Sequence, residues 1–313
     1  MIPDSVLRGF KGKRVLVTGG TGMIGRQVVE ILLETGVEVM TVSLDEEIPG
    51  VPHIQVNLMD FGVCKAIITG FDCVLHLAGM KGSARETGRK PATYFILMAG
   101  VSLNVLEACR QNQVKSVVYT SSIGAYGEAE VLRETNDPNV PPMDFCAWGK
   151  RFGELQIQAY IKEFGLENFA VVRPCAVYGP HDRFHEGAMV IPALMHRIRR
   201  GADPLVVWGD GSAVRDFAYS RDIAEGVILA SHYGTRGGFV NLGSGEGHSV
   251  REVVETLGKI TGCRYEFDPS KAAGYPRRVM DISRAREWLG WEPSTSLEEG
   301  LRKTWEWYSS QEG

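Results

Sequence analysis

Short apolar runs alternate with longer amphipathic stretches through the first half of the chain. Each run is flanked by polar residues or glycine, which is typical of β-strands. The predicted strands cover residues 14–18, 38–42, 54–57, 73–77, 116–121 and 169–173, and helical spacing recurs at 101–111 and 147–164. Because strands that alternate with helices build parallel sheets, the pattern predicts an α/β fold with a doubly wound parallel sheet.

A glycine-spaced turn joins the first predicted strand to an amphipathic helix. Gly19, Gly22 and Gly25 follow the strand, and Thr21, Met23 and Ile24 fill the positions between and beside them. Glycine permits a tight turn and lets the backbone approach a phosphate, while free N–H groups at the helix start attract negative charge. The turn therefore predicts a Rossmann-type site for a dinucleotide.

The regular alternation ends near residue 175, and Gly, Pro, His and Arg become frequent over 179–201. We therefore expect a dinucleotide-binding domain over 1–175, to which residues 214–243 return. A smaller substrate-binding domain is expected over 176–213 and 244–313, with late helices at 249–261 and 297–308.

Charge and cysteine content exclude several classes of protein. The net charge is −4 with both signs interspersed, which disfavours nucleic-acid binding. No uninterrupted apolar run reaches the ~20 residues of a membrane span, and the first residues lack the order of a signal peptide, so we expect a cytoplasmic protein that does not enter membranes. The six cysteines show no metal-binding spacing, so we expect no metal site.

Six ordered motifs show a family resemblance. Together they resemble the extended short-chain dehydrogenases/reductases that act on nucleotide sugars, the NAD-dependent epimerase/dehydratase family. Within it, residues 178–185, 190–194 and 206–209 are most similar to the GDP-L-fucose synthases. The six motifs occupy residues 18–25, 76–79, 120–127, 173–180, 215–217 and 241–245.

The resemblance implies roles for individual residues. Lys150 would lie under the nicotinamide ribose, and Ser122 would hydrogen-bond the reacting sugar oxygen. Arg215 would bind the nucleotide diphosphate, and His181 would act as an acid in epimerisation or be an ordinary loop histidine. Trp208 would stack on the base or pack in the core. The resemblance also implies a homodimer formed by the helices at 101–111 and 147–164.

Further positions are expected to contact the cofactor. Ser43 occupies the place of the acid that binds the adenosine ribose, and Asp45 follows two residues later. Carboxylates there would repel a 2′-phosphate, which favours NAD over NADP. The remaining expected cofactor contacts are Asn57 and Leu58 beside the adenine, and Leu77, Ala78 and Gly79 along the middle of the cofactor.

The position of the family's catalytic tyrosine, four residues before Lys150, holds Cys146. A thiol is more acidic than a phenol and a lysine would lower its pKa further, but it ends much closer to the backbone. Three interpretations stay open: Cys146 is an acid/base, it is an inactivating substitution, or it is a spectator while Ser122 and water relay the proton. The cysteine that assists the histidine in fucose synthases is replaced by Gly124.

Two functional hypotheses follow from these residues. The first is an NAD(P)-dependent epimerase or oxidoreductase that acts on a nucleotide-activated sugar through a keto sugar. The second is a protein that binds the cofactor and the nucleotide sugar but has lost turnover at Cys146.

Overall fold

A computed structural model describes residues 2–271 and 275–311 of the chain. The helices are α1 Asp4–Arg8, α2 Met23–Leu33, α3 Phe61–Ile68, α4 Ala84–Arg89, α5 Pro91–Gln111, α6 Phe145–Phe164, α7 Val190–Arg199, α8 Ser220–Tyr233, α9 Val250–Thr261, α10 Ser283–Leu289 and α11 Leu297–Ser310. The strands are β1 Arg14–Thr18, β2 Glu38–Ser43, β3 His53–Gln55, β4 Cys73–His76, β5 Ser116–Thr120, β6 Val131–Leu132, β7 Phe169–Pro174, β8 Ala176–Tyr178, β9 Leu205–Trp208, β10 Val214–Arg215, β11 Phe217–Tyr219, β12 Val240–Leu242, β13 His248–Ser249, β14 Tyr265–Asp268 and β15 Arg277–Met280.

Seven strands form one parallel sheet in the order β12-β7-β5-β4-β1-β2-β3. The chain moves from β1 outwards to β2 and β3, and then returns to β4 on the other side of β1. The carboxyl ends of β1 and β4 therefore border the crevice where doubly wound sheets bind ligands. This arrangement confirms the predicted α/β fold.

Helices cover both faces of the large sheet. On one face α2, α8 and α10 enclose a core that includes Val28, Val227 and Leu289. On the other face α3, α5 and α6 enclose a core that includes Leu106 and Ile157. Because both faces are covered, the central strands consist mainly of apolar residues, which is why they read as short apolar runs in the sequence.

A third core lies in a smaller lobe and includes side chains from α7, α9 and α11. The boundaries between the two lobes differ from the expected domain boundaries at two places. Residues 214–219 form β10 and β11 of small sheets, so the return to the large sheet begins with α8 and ends with β12. The segment with α10 also packs on the large core, because Leu289 and Trp291 are buried there.

Helix α5 is ten residues longer at its start than the expected 101–111, and it begins with Pro91 at its first turn. Its first half is apolar all round, with Tyr94 and Met98 buried and Ile96 exposed, so no amphipathic period marks it. By length and hydropathy α5 would also suffice to cross a membrane. In this fold it packs along α6 and α3.

Candidate active site

The glycine turn after β1 is packed so closely at Gly19 and Gly25 that a side chain would not fit at either position. A Cβ on Gly19 would lie 2.8 Å from the Ala78 Cα, and one on Gly25 would lie 2.7 Å from the Gly20 Cα. Gly19 also has a φ of 70° and donates from its N–H to the Val42 carbonyl at 2.7 Å. The turn therefore holds β1, β2 and the segment after β4 together at one edge of the sheet.

Polar groups from the end of β2 surround this turn. Thr21 Oγ1 lies 3.0 Å from both Ser43 Oγ and Asp45 Oδ2. Arg26 donates from Nε to the Thr21 carbonyl at 3.2 Å, a cation that the sequence prediction did not consider. Further along the edge, Asn57 is exposed, whereas Leu58 is buried beneath α3 and α5. The hydroxyls and the carboxylate are the groups that an adenosine ribose would meet.

A cavity of about 430 Å³ opens beside the turn, between the large sheet and the smaller lobe. It brings together residues that the sequence prediction had singled out from distant segments. These are Met23, Ile24, Leu77, Gly79, Ser122, Cys146, Lys150 and Arg215. The cavity thus joins the predicted cofactor and substrate ends in one cleft.

Lys150 is held against the large sheet near the middle of the cleft. Its Nζ donates to the Thr120 carbonyl at 2.8 Å and lies 5.3 Å from the centre of the Tyr119 ring. Burial lowers the pKa of Lys150 from 10.5 to about 8, although Cys146 and Glu154 oppose the shift. The ammonium therefore gives up its proton more easily than that of an ordinary lysine, and it is still mostly charged at neutral pH.

Cys146 lies in the first turn of α6, which Asp144 caps by accepting from the Ala147 N–H at 2.8 Å. Burial raises the pKa of the thiol to about 11, the charge of Asp144 adds to the rise, and Lys150 only partly offsets it. The expected acidification by lysine is thus outweighed, and the thiol keeps its proton at neutral pH. Neither Tyr126 nor Tyr160 can replace the missing tyrosine, because the Tyr126 hydroxyl donates to Asn241 Oδ1 and the Tyr160 hydroxyl donates to Glu107 Oε2.

Ser122 lies two residues after the end of β5 and lines the cleft. Its Oγ accepts from the Gly124 N–H at 3.1 Å, which fixes the hydroxyl at the start of a short 3₁₀ turn. A Cβ on Gly124 would lie 3.0 Å from Ala147, so the loop after β5 rests directly on α6. Ser122 and the first turn of α6 are therefore held in a fixed relation.

A buried ion pair fixes the middle of α6 beneath the cleft. Arg173 donates from Nε and Nη2 to the two carboxylate oxygens of Glu154, at 2.8 and 2.6 Å, and Ser121 donates to the same carboxylate. Both charged side chains are almost completely buried. Bidentate pairing satisfies both charges, so the pair can position α6 against β7.

A second ion pair that the sequence analysis missed crosses the cleft. Lys81, in the loop after β4, donates to both carboxylate oxygens of Asp182 at 2.8 Å and to the Val177 carbonyl at 3.1 Å. The Asp182 carboxylate is buried, and Lys81 lines the cavity. The sequence gives no signal for this contact because the two residues lie about a hundred positions apart on different lobes.

Two of the predicted catalytic and substrate-binding residues lie outside the residues that line the cleft. The His181 ring packs 4.4 Å from the Trp307 ring, and burial together with the charge of Arg26 lowers its pKa to about 4. Trp208 ends β9 and is 58% exposed. The structure therefore does not bring His181 and Trp208 together with Ser122 and Cys146.

Arg215 lines the cleft from the smaller lobe and is half-buried. It donates from Nη1 to the Val214 carbonyl at 2.8 Å, and the part of the chain that the structure describes supplies it with no ion pair. The neighbouring carboxylates of Asp216 and Asp222 accept from backbone N–H and hydroxyl groups of nearby loops and form no ion pair with Arg215 in the described part of the chain. Arg215 is thus a cation that can bind an anion in the cleft.

Comparison with known proteins identifies the family. The NAD dependent epimerase/dehydratase family matches residues 15–243. This chain belongs to that family. It is 29% identical over 330 residues to the GDP-L-fucose synthase of Escherichia coli, with 95% of this chain and 96% of that protein covered. It is 30% identical over 315 residues to the UDP-glucose 4-epimerase of Mycolicibacterium smegmatis, with 95% and 99% covered.

A solved member of the family has the same fold. The UDP-glucose 4-epimerase of Thermus thermophilus, in complex with NAD, superposes with a TM-score of 0.83 at 31% identity, covering 95% of this chain and 99% of that one. Family membership makes this chain an NAD-dependent enzyme of the epimerase/dehydratase class. The glycine turn fits the cofactor, because Gly22 caps α2 without a side-chain hydrogen bond and so leaves the first N–H groups of the helix for a phosphate.

Proposed function

We propose that the protein is an NAD-dependent epimerase or reductase that acts on a nucleotide-activated sugar through a keto sugar. The observation that carries the proposal is the single cleft that joins the glycine turn to Ser122, Cys146, Lys150 and Arg215. The names of the similar proteins, GDP-L-fucose synthase and UDP-glucose 4-epimerase, support this substrate class.

The diphosphate and the sugar of the substrate would bind to different lobes, the diphosphate to the smaller lobe and the sugar beside the large sheet. Arg215 would bind the diphosphate, because a guanidinium without an acidic partner matches phosphate oxygens. The sugar would then reach Ser122, whose hydroxyl is fixed by Gly124 and can hydrogen-bond the reacting oxygen. Bound NAD would supply the capacity to accept a hydride from the sugar carbon.

Proton transfer is the step in which this chain differs from the family pattern. The Cys146 thiol holds its proton at neutral pH and can donate it to a keto oxygen. Its thiolate form, which would have to act as a base, is scarcely populated at that pH. A hydroxyl oxidation requires a base, for which Lys150, with its pKa near 8, is better matched to neutral pH than Cys146. We infer that the proton leaves through Ser122 and water towards Lys150, and that it returns along the same path when the keto sugar is reduced.

We also propose NAD as the preferred cofactor. Asp45 stands beside Ser43 at the end of β2, and its carboxylate would repel a 2′-phosphate. Arg26 is the nearby cation that opposes this preference, but its Nε already donates to Thr21. Comparing the dissociation constants of NADH and NADPH tests the choice, and tighter binding of NADPH would contradict it.

A homodimer through α5 and α6 is proposed from their outer surfaces. The two helices pack along each other and leave a patch of large apolar side chains exposed to solvent. Patches of this kind mark interfaces. The patch consists of Ile96, Leu103, Trp148, Phe152 and Leu155. A monomeric mass by analytical ultracentrifugation would contradict this assignment.

The rival function, binding without turnover, rests on the short reach of the Cys146 thiol. The decisive experiment compares the native protein with Cys146→Tyr and Cys146→Ala on UDP-, GDP- and dTDP-sugars with NAD in deuterated water, by mass spectrometry. Conversion or deuterium exchange by the native protein supports the proposal. Turnover by Cys146→Tyr alone would identify the cysteine as an inactivating substitution. Tight binding without turnover in every variant would support the binding protein.

A further inference from the structure

Arg278, on β15, is a buried arginine with poor partners beside the sugar end of the cleft. It is 4% exposed, and its Nη2 donates to the Ile123 carbonyl at 3.2 Å, while Nη1 contacts the thioether sulfur of Met143. Its Nε has no partner, and among residues 2–271 and 275–311 no carboxylate lies within 4.0 Å of the guanidinium. A thioether is only a weak acceptor, so most of the donor capacity of this cation is unused.

The electrostatic surroundings of Arg278 are unfavourable for a positive charge. Burial lowers the pKa of its guanidinium, and the neighbouring Arg215 lowers it further, with only partial opposition from Tyr275 and Glu128. Arginine nevertheless stays charged in proteins. A buried charge without a counter-charge is costly, so an anion that reached Arg278 would bind strongly.

The contacts of Arg278 place it next to the reacting groups. Ile123 directly follows Ser122 along the chain, and Met143 lies three residues before Cys146. Both contact residues line the cleft, whereas Arg278 lies behind Met143. Methionine is flexible and adapts to new neighbours, so a ligand can displace its thioether from the guanidinium.

We propose that Arg278 binds a carboxylate on the sugar, so that the enzyme prefers a nucleotide-activated uronic acid. This proposal rests on the function proposed above. In a nucleotide-activated pyranose the diphosphate is attached to C1. C4 lies across the ring from C1 and is adjacent to C5, which carries the C6 carboxylate in a uronic acid. If the oxygen at C4 meets Ser122, its ring neighbours are the C3 hydroxyl and the C6 substituent on C5, and of these only the C6 carboxylate of a uronic acid is an anion that a buried guanidinium would favour.

The position of Arg215 fits the same division of roles. Arg215 and Arg278 are register partners in the parallel pair β10 and β15, so their side chains leave the sheet on the same side. Arg215 lines the cleft directly, as the diphosphate requires, and Arg278 reaches the loop after Ser122. Two adjacent cations would thus receive two different anionic groups of one substrate.

The test uses pairs of ligands that differ only in the carboxylate. Dissociation constants of UDP-glucose and UDP-glucuronic acid, and of GDP-mannose and GDP-mannuronic acid, are measured by calorimetry in the presence of NAD. We expect the uronic acid of at least one pair to bind about tenfold or more tightly than its neutral partner. In Arg278→Met this preference should disappear, and in Arg278→Lys part of it should remain.

Arg277→Met is the matched control, because Arg277 precedes Arg278 on the same strand and is exposed. It should keep the full preference for the uronic acid. Circular dichroism and NADH binding verify that each variant is folded, and Arg278→Lys retains the test if Arg278→Met does not fold.

Three results would overturn the proposal in distinguishable ways. Equal binding of both members of each pair by the native protein removes the carboxylate preference but leaves the proposed function intact. Equal weakening of free UDP or GDP and of all sugar conjugates by Arg278→Met would assign Arg278 to the diphosphate. Failure of every nucleotide sugar to bind would overturn the proposed function as well.

Discussion

The two ends of the cleft are built in different ways. At the cofactor end, backbone atoms pack directly against backbone atoms. The atoms that a side chain on Gly19 or Gly25 would contact belong to the backbone and cannot move aside. At the sugar end, side chains such as Met143 and Arg278 meet, and their contacts can rearrange. The first end tolerates almost no change of residue, whereas the second can acquire new chemistry without disturbing the fold. This is why a cysteine can occupy the tyrosine position of α6 while the glycine turn keeps its pattern.

The largest expected effect comes from adding one carbon at the rigid end. In Gly25→Ala the new Cβ would collide with the Gly19 carbonyl and lie 2.7 Å from the Gly20 Cα. Because both neighbours are backbone, we expect the free energy of unfolding to fall by about 3 kcal/mol or more and NADH binding to be lost. Urea denaturation and calorimetry measure these effects.

Gly88→Ala serves as the control for this substitution. Gly88 lies in α4, and a Cβ there would meet nothing within 4 Å. We expect its stability to be unchanged or slightly higher, because alanine favours helix. Comparable losses in the two variants would contradict the contrast between the two ends of the cleft.

A smaller effect is expected from Lys150→Met, measured without cofactor. Below about pH 8 the lysine is charged in both the folded and the unfolded chain, and burial penalises the folded one. Between about pH 8 and 10.5 only the unfolded chain still binds the proton, so the stability of the native protein rises with pH by up to about 3 kcal/mol. The substitution should remove this rise and also abolish turnover.

Lys162→Met, at an exposed position near the end of the same helix, provides the comparison. It should leave the rise between pH 8 and 10.5 in place, as followed by urea denaturation at a series of pH values. If Lys150→Met kept the same rise, the shifted pKa assigned to Lys150 would be wrong.

The smallest expected effect concerns the thiol at the adaptable end. Asp144→Asn keeps an oxygen that caps α6 but removes the charge that helps to raise the pKa of Cys146. We expect iodoacetamide to alkylate Cys146 severalfold faster at about pH 8, because only the thiolate reacts. Mass spectrometry locates the label, and Cys263→Ser removes the other partly exposed thiol. A slower or unchanged rate would contradict the assigned influence of Asp144.

The same contrast explains how far the sequence could predict the structure. The central strands and the glycine turn were predicted closely, because their patterns arise from neighbours in the chain. The start of α5 was not predicted, because its residues are apolar on every face of the helix and show no amphipathic period. The pairing of Lys81 with Asp182, the packing of His181 against Trp307 and the approach of Arg278 to Ile123 depend on contacts between distant segments. No local pattern encodes such contacts.

Lys150 is held at both of its ends. Its carbonyl accepts from the Tyr119 hydroxyl at 2.8 Å, while its Nζ donates to the Thr120 carbonyl. A free lysine side chain has about 2 kcal/mol of rotamer entropy to lose when it becomes ordered. Here that loss occurs when the chain folds, before any ligand arrives. Ligand binding therefore meets a lysine whose conformational freedom is already lost, and more of the binding free energy remains for selecting among substrates.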